Sequence, residues 1–466
     1  MFSPVQPERL SALRPGDPRP GQYVLYWMQA SVRGAGNHAL EHALSQANAL
    51  GLPLLTVFGL TPTYPSANAR HYQFLLEGLA AAAATLQQRG LSFRIGLTPH
   101  HGPPQAPLAL AEQAALLITD RGYLRTSRTW RQWLSEQLTL HHPDLPFLQV
   151  EAEAVVPVHS ASSKQEYAAR TLRPKLRRLL PTFLVPLLEG HPQHTLDAVP
   201  SPPALTWLDV TTLDDPAALI RTFGVEGVPP VAAYRGGLTE ARKRLRVFLQ
   251  RLERYEADRN DPTVDDSSQL SAYLHYGHIS PVEIALALQD TSGAGVEAYL
   301  DELIVQRELN FNFCEYREDY DRYSAVPAWA QATLKEHQQD LRTYIYARAE
   351  LEAATTHDVY WNAAQREMTQ TGRMSNYLRM YWGKKVLEWT PDPADAFDTL
   401  VYLNDKYELD GRDPNSYGNI AWIFGLHDRP WIRRPIFGMV RYMAASGLKQ
   451  KFDIKAYVRK WGDAGS

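Results

Sequence analysis

The chain has 466 residues, 44% hydrophobic and 11% aromatic, with a formal net charge of −3. That length predicts roughly two or three domains with ample material for buried cores, and the composition excludes a mainly disordered protein. The single cysteine, Cys314, excludes an internal disulfide framework and any cysteine-based zinc or iron–sulfur site.

Residues 1–20 are polar and proline-rich, which predicts a flexible N-terminal arm rather than a signal peptide or anchor. No apolar run approaches the ~20 residues that span a bilayer, so a soluble, cytoplasmic protein is expected. Residues 23–28 form a short continuous apolar run, the pattern of a strand buried on both faces. Residues 37–50 are amphipathic and end at Gly51, a helix with a C-terminal stop. A second buried strand is expected at 52–58 and a long helix at 69–89, stopped by Gly90. Further strands are expected at 92–97 and 115–120, with helical stretches at 106–114 and 127–140. This alternation predicts an α/β domain over 21–190, with a Rossmann-like doubly wound parallel sheet. Residues 191–229 are rich in proline and lack periodicity, so they are expected to be a linker. Beyond them strand signals nearly vanish, and 230–466 is expected to be an all-α C-terminal domain. Within it Ser280, Pro281 and Glu283 mark a helix start, with an N-cap, a first-turn proline and a capping-box glutamate.

The common nucleotide motifs are missing: no G-x-G-x-x-G follows the first strand, and there is no G-x-x-x-x-G-K-[ST]. His38, Glu41 and His42 match the H-x-x-E-H spacing of an inverted zinc hydrolase. They also fit the polar face of a first crossover helix, and no third carboxylate ligand announces itself. Ser267, Ser268 and Ser271 precede a helical pattern, where small hydroxyl residues either cap the helix or meet a phosphate. Tyr255 and Arg259 upstream add a stacking surface and a cation. Helical spacing puts Glu302, Gln306 and Leu309 on one stripe. A carboxylate on such a stripe either faces a cleft, where its pKa rises and it can donate a proton, or lies on a solvated surface. Residues 375–389 read as one helix stopped by Pro391, with Asn376, Arg379, Met380 and Gly383 on one stripe. Trp382 and Trp389 share another, and Trp361 on the preceding helix extends the series. Tryptophans so spaced are core packing or a ladder for electron hopping to a redox group. Residues 403–415 are dense in Asn and Asp and are expected to form a loop. From Arg429 to Lys460 nine cations face one acid, Asp453. With Trp422, Trp431, Tyr442 and Tyr457 interleaved, they form either a nucleic-acid surface or a solvated basic face.

Together these residues resemble a class II cyclobutane pyrimidine dimer photolyase of the cryptochrome/photolyase superfamily, over nearly everything after the arm. In the α/β half the likeness rests on residues 26–29, 37–40, 58–60 and 76–79. In the helical half it rests on 302–305, 376–382, 403–415 and 434–438, and the long 403–415 motif is the most specific.

The resemblance implies an FAD in the helical domain, working as FADH⁻, and light-driven splitting of pyrimidine dimers flipped out of DNA. It implies that Tyr255, Ser267, Ser268, Gln269, Leu270 and Ser271 hold the phosphates and ribityl chain. Asn376, Arg379, Asn404 and Asp410 would surround the isoalloxazine, with Asn404 near N5 and Arg379 paired to Asp410. Glu302 would bond the dimer carbonyls, and Met380 and Trp422 would line the lesion pocket. Trp382, Trp361 and Trp389 would carry electrons from surface to flavin. Arg259, Arg429, Arg433, Arg434, Arg441, Lys449 and Lys451 would contact DNA. No metal is implied, so the zinc alternative falls away. An antenna chromophore in the α/β domain fits a deazaflavin better than a folate, and a monomer is expected. The chain departs from the family pattern at Gln306, where a large group beside the lesion is usual, and at Ser416 and Asn419, in a loop that usually has glycines. A light-sensing flavoprotein of the same fold, and a nucleic-acid-binding protein without cofactor, are the alternatives.

Overall fold

The computed structural model describes residues 5–98, 101–264 and 266–462. Two compact units emerge: Met1–Ser163 with Leu176–Arg246 and Gln269–Asp290, and Lys164–Lys175 with Val247–Ser268 and Thr291–Ser466.

The first unit is built on a seven-stranded sheet of order β1-β6-β5-β2-β3-β4-β7. Its central strands are β2 (Tyr23–Met28), β3 (Leu54–Leu60) and β5 (Ala114–Asp120), every residue of which is buried. Their continuous apolar runs are required because both faces are covered. Tyr23, Leu25 and Trp27 enter one core and Val24, Tyr26 and Met28 the other, the period-two alternation of a strand. Helix α1 (His38–Leu50) starts where the Asn37 side chain accepts from the backbone of Ala39 and Leu40. It ends at Gly51, whose φ of +64° suits the left-handed stop that glycine takes readily. Helix α2 (Ala69–Gln88) leads to β4 (Ser92–Leu97). The chain then returns through α3 (Ala106–Ala109), a single turn, to β5 on the other side of β2. Helix α4 (Arg125–His141) connects β5 to β6 (Phe147–Val150). The neighbouring pairs from β6 to β4 are parallel, which gives the doubly wound sheet.

The edges differ from expectation. The arm, expected to be flexible, carries β1 (Leu10–Arg14), paired antiparallel with β6. Arg9 anchors it by donating to the carbonyls of Glu151, Ala154 and Val155 at 2.7–3.1 Å; residues 1–4 of the arm lie outside the described residues. The stretch expected as a linker carries β7 (Thr206–Leu208), antiparallel to β4, and a helix at Pro216–Thr222. Proline density hid both short edge elements, because an edge strand needs only one bonded side.

Ser280 caps the Pro281–Leu286 helix as expected, but Glu283 pairs with Arg242 at 2.6 Å instead of completing a capping box. The second unit is helical, and its principal helices for the site are Arg307–Tyr316, Val359–Thr371, Asn376–Trp389, Pro393–Tyr407 and Pro414–Ile423. No described helix is long and apolar enough to cross a membrane.

In α2, Gly78 lies directly against the His278 ring: a Cβ there would sit 1.9 Å from Nε2. The ring is fixed by Phe74 at 5.0 Å and by a hydrogen bond from the Gly237 amide to Nδ1. Gly78→Ala should therefore cost about 1–3 kcal/mol through overpacking. Urea denaturation measures it, and unchanged stability would mean that His278 yields freely.

Candidate functional site

The Asn376–Trp389 helix carries the densest set of expected site residues. Arg379 reaches Glu408 at 3.1 Å and Asp410 at 3.4 Å. Burial drives the Glu408 carboxyl well above its ordinary pKa, against the pull of Arg379. Arg379 keeps its charge, with Asp410 as counter-ion and Glu408 held toward its neutral form. The expected Arg379–Asp410 pair thus has a second, closer acid that sequence spacing does not reveal. Arg379 Nε is buried and has no partner within the protein. Asn376 is exposed at the start of the helix, and Met380 is half-buried.

Residues 403–415 are not simply a loop. Asn404 and Asp405 lie in the last turn of the Pro393–Tyr407 helix, because the buried Leu400 and Leu403 continue its apolar stripe. A tight turn follows, with Arg412 at φ +59°, and Asp413 caps the next helix. Asp405 clasps this turn by accepting from the Arg412 amide, the Tyr417 hydroxyl and the Asn404 amide. The Asn and Asp residues do make local bonds, but across a helix–turn–helix corner.

Glu302 lies in a π-helical turn, Asp301–Gln306, between the Ala294–Leu300 and Arg307–Tyr316 helices. The wider turn breaks the stripe that ordinary helical spacing predicts. Gln306 turns to Asp301 at 3.2 Å, and Glu302 pairs with Arg259 at 2.6 Å. Burial raises the Glu302 pKa, opposed by Arg259. Arg259, expected on DNA, is thus engaged with Glu302 in this structure. Tyr255 packs edge-on against Phe248 and Tyr299 at 5.4 and 5.3 Å. The Ser267 hydroxyl accepts from Arg373 at 3.3 Å, a cation that the motif search did not single out.

In the first unit, Gln269 has φ +55° and its side chain accepts from Arg244, which stacks on Tyr234 at 4.1 Å. Leu270 is buried, and Ser271 is the exposed first residue of a short helix. Leu270 takes the N-cap position of that helix and makes no side-chain cap hydrogen bond.

Trp382 and Trp361 stack with centroids 6.4 Å apart and planes 10° from parallel, and Trp361 meets Trp389 edge-on at 5.6 Å. The order 382–361–389 is the expected one, with the neighbouring helix supplying the middle ring. Trp361 donates to the Trp382 carbonyl at 3.0 Å, and Trp382 to Gln365 at 2.8 Å. Trp389, expected at the surface end, is only 2% exposed and meets Tyr346 and His357 instead.

Trp422 is half-buried near the end of its helix, with the Arg441 guanidinium 5.6 Å from its ring and 4.4 Å from that of Trp431. Arg441 also pairs with Asp428 at 3.0 Å. Arg429, Arg433, Arg434, Lys449 and Lys451 are exposed. Of these, Arg433 pairs with Glu336 and the other four lie over Trp431, Tyr442, Tyr360 and Tyr377 rings. Cation–aromatic contact thus recurs along the segment. Among the described residues no cluster of three His, Cys, Asp or Glu could hold a metal. His38 and His42 are buried, which pushes both below their ordinary pKa, His42 to about 4. Glu41 pairs with Arg89 at 2.7 Å, so the H-x-x-E-H spacing serves helix packing.

Residues 24–199 match the DNA photolyase family model. The chain is 46% identical over 457 residues to a deoxyribodipyrimidine photo-lyase of Methanothermobacter thermautotrophicus, covering 97% of this chain and 98% of that one. It belongs to the DNA photolyase family. A relative of the same name from Oryza sativa is 40% identical, over 97% of this chain and 89% of that one. A class III photolyase structure from Agrobacterium tumefaciens superimposes with TM-score 0.72 at 17% identity, covering 95% of this chain and 86% of that one. A Synechocystis cryptochrome superimposes with TM-score 0.70 at 18% identity, covering 94% and 88%. These two likenesses speak for the photolyase/cryptochrome fold.

Glu408 provides a test of the buried acid pair. With a folded-state pKa above the unfolded one, its contribution to stability is full at acid pH and is lost as pH rises through the folded value. Wild-type stability should therefore fall relative to Glu408→Gln as pH rises above the usual carboxylate range. Equal pH slopes in denaturant titrations would mean that this carboxyl is ionised.

Proposed function

We propose that this chain is a deoxyribodipyrimidine photo-lyase of the class II type, a light-driven carbon–carbon lyase that splits cyclobutane pyrimidine dimers in DNA. Full-length identity to relatives of that name supports the reaction. The observation that carries it onto this chain's residues is the buried Trp382–Trp361–Trp389 series, which starts one turn from Arg379.

The residues fit a flavin. Arg379 Nε lacks a protein partner, and an acceptor on the polar edge of the isoalloxazine would supply one. Asn376, Arg379, Asn404 and Asp410 would hold that ring system, and Tyr255, Ser267 and Ser268 would hold the rest of FAD. Bound in its reduced form, FAD supplies on illumination the electron that opens the cyclobutane ring and that returns when the bases have separated. Arg379 keeps a positive charge beside Asp410, a fixed field for an anionic ring. Glu302, its pKa raised, donates a hydrogen bond to a dimer carbonyl and stabilises negative charge there during ring opening. Met380 and Trp422 offer apolar walls for the two linked bases of a dimer taken out of the stack, which is cheaper for a damaged step. Arg429, Arg433, Arg434, Arg441, Lys449 and Lys451 meet DNA phosphates, a salt-dependent contribution. Gln306, bonded to Asp301, replaces a bulky wall beside the lesion and leaves less stacking there. An antenna group, a deazaflavin in preference to a folate, would lie in the first unit. At the end of β2 the Gln29 side-chain amide is buried with no protein partner, a polar group that a ligand would satisfy.

Purified, reduced protein should clear dimers from an oligonucleotide in light and not in darkness, with a flavin spectrum beforehand. Flavin without light-dependent dimer loss would move the chain to light sensing; no flavin after reconstitution would overturn both readings. Glu302→Ala should lower the repair yield about tenfold or more with flavin still bound. An unchanged yield would remove Glu302 from the lesion. Trp382→Phe should abolish light-driven reduction of oxidised protein while chemically reduced protein still repairs. Intact photoreduction in this variant would break the proposed series.

A further inference from the structure

The Asn376–Trp389 helix buries a second cation, Lys384, which is 1% exposed and belongs to none of the roles above. Its Nζ donates to the carbonyl of Ile423, the last residue of the Pro414–Ile423 helix. The preceding residue grips the same point: a Cβ on Gly383 would lie 2.1 Å from Ile423 Cδ1, so only glycine admits that side chain. Two consecutive residues of one helix therefore fix the backbone and side chain of the residue next to Trp422. The chain then turns through His427 at φ +60° to Asp428, which holds Arg441 over the Trp422 and Trp431 rings.

We propose that Lys384 is a positioning residue for substrate: it pins the helix end that carries Trp422 and, through its charge, biases the Asp428–Arg441 pair beside that ring. This rests on the reading of Trp422 and Arg441 as lesion and DNA contacts. A helix-end carbonyl lacks an intrahelical donor, and a lysine supplies one that also favours the negative end of the helix dipole. Its long apolar stem lets the charge cross a packed interface.

Asp428 and Arg441 are the charged groups that act on Lys384, the first stabilising the ammonium and the second opposing it. His427 is buried and pushed down to about 4, so it is neutral. On the Val359–Thr371 helix and its N-cap, Glu367 accepts from Tyr457 and Asp358 from Tyr381. On the Pro393–Tyr407 helix, Asp405 accepts from the Arg412 amide and the Tyr417 hydroxyl, and Asp395 and Asp398 are exposed. On its own helix, Lys385 pairs with Glu388 at 2.7 Å. Burial lowers Lys384 to about 7, so its charge changes across neutrality while a neutral amine still donates to Ile423. At acid pH the ammonium competes with Arg441 for Asp428 and loosens Arg441 for DNA; at alkaline pH Arg441 is held.

The test measures binding of one dimer-containing and one undamaged oligonucleotide from pH 6 to 9, with wild type, Lys384→Met and Lys384→Gln, all carrying flavin. Lys384→Met should lose discrimination by about tenfold, the scale of one buried bond from a charged donor. Lys384→Gln, a neutral donor, should recover most of it. Wild-type affinity for both oligonucleotides should weaken as pH rises through neutrality, and both variants should lack that step. Variants with wild-type discrimination and an unchanged pH profile would overturn the proposal. Should Lys384→Met fail to retain flavin, Lys384→Gln decides alone through its pH profile. A wild-type protein that does not prefer dimer DNA at all would instead overturn the photolyase reading.

Discussion

The helical unit depends on one constraint: cations sit on helices that are buried nearly all round. The Asn376–Trp389 helix has neighbours on several faces: Lys384 is 1% exposed and the Arg379 side chain is mostly covered, so each needs a partner inside. A buried charge left alone would cost several kcal/mol. Arg379 is met by Glu408 and Asp410 from the corner after the Pro393–Tyr407 helix, and Lys384 by the carbonyl of Ile423. These pairings fix how the three helices sit against one another. The polar side chains around the proposed flavin ring are thus also the fasteners of the unit.

The tryptophans face the same requirement in milder form. An indole N–H buried without a partner is costly, and here Gln365 and the Trp382 carbonyl accept from Trp382 and Trp361. Those bonds fix ring planes as well as positions. Core packing and electron transfer are therefore not competing explanations, since close, fixed, apolar ring contact serves both. The edge-on neighbours of Trp389 continue the aromatic packing beyond the third ring.

The π-helical turn at Asp301–Gln306 has a comparable double character. It disrupts regular stacking locally and in exchange re-aims Glu302 toward Arg259 and Gln306 toward Asp301. The energetic penalty of such a turn is tolerable where neighbouring helices hold both ends, as the flanking Ala294–Leu300 and Arg307–Tyr316 helices do. For Glu302, burial raises the carboxyl pKa while the facing Arg259 opposes that rise, so its charge depends on whether Arg259 stays in place.

The buried strands and the long helices were legible in the sequence, because period-two and period-3.6 patterns are local and glycine stops such as Gly51 act within a few residues. Spacing put Trp382 and Trp389 on one stripe and left Trp361 to extend the series; that Trp361 lies between the other two came from the family resemblance, because its place depends on how the neighbouring helix packs. The edge strands were not, because β1 and β7 owe their conformation to strands far away in the chain. Nor was the 403–415 corner: its Asn and Asp residues spell a turn locally, while buried leucines extend the helix through half of it. Which acid meets Arg379, what holds Lys384, and where Glu302 points depend on groups brought together by packing. Residue types and their periodicity set the fold class and the inventory of chemistry. Only tertiary structure decided the partners, because the energy of a buried charge is set by what lies within a few ångströms of it, not by its neighbours in sequence.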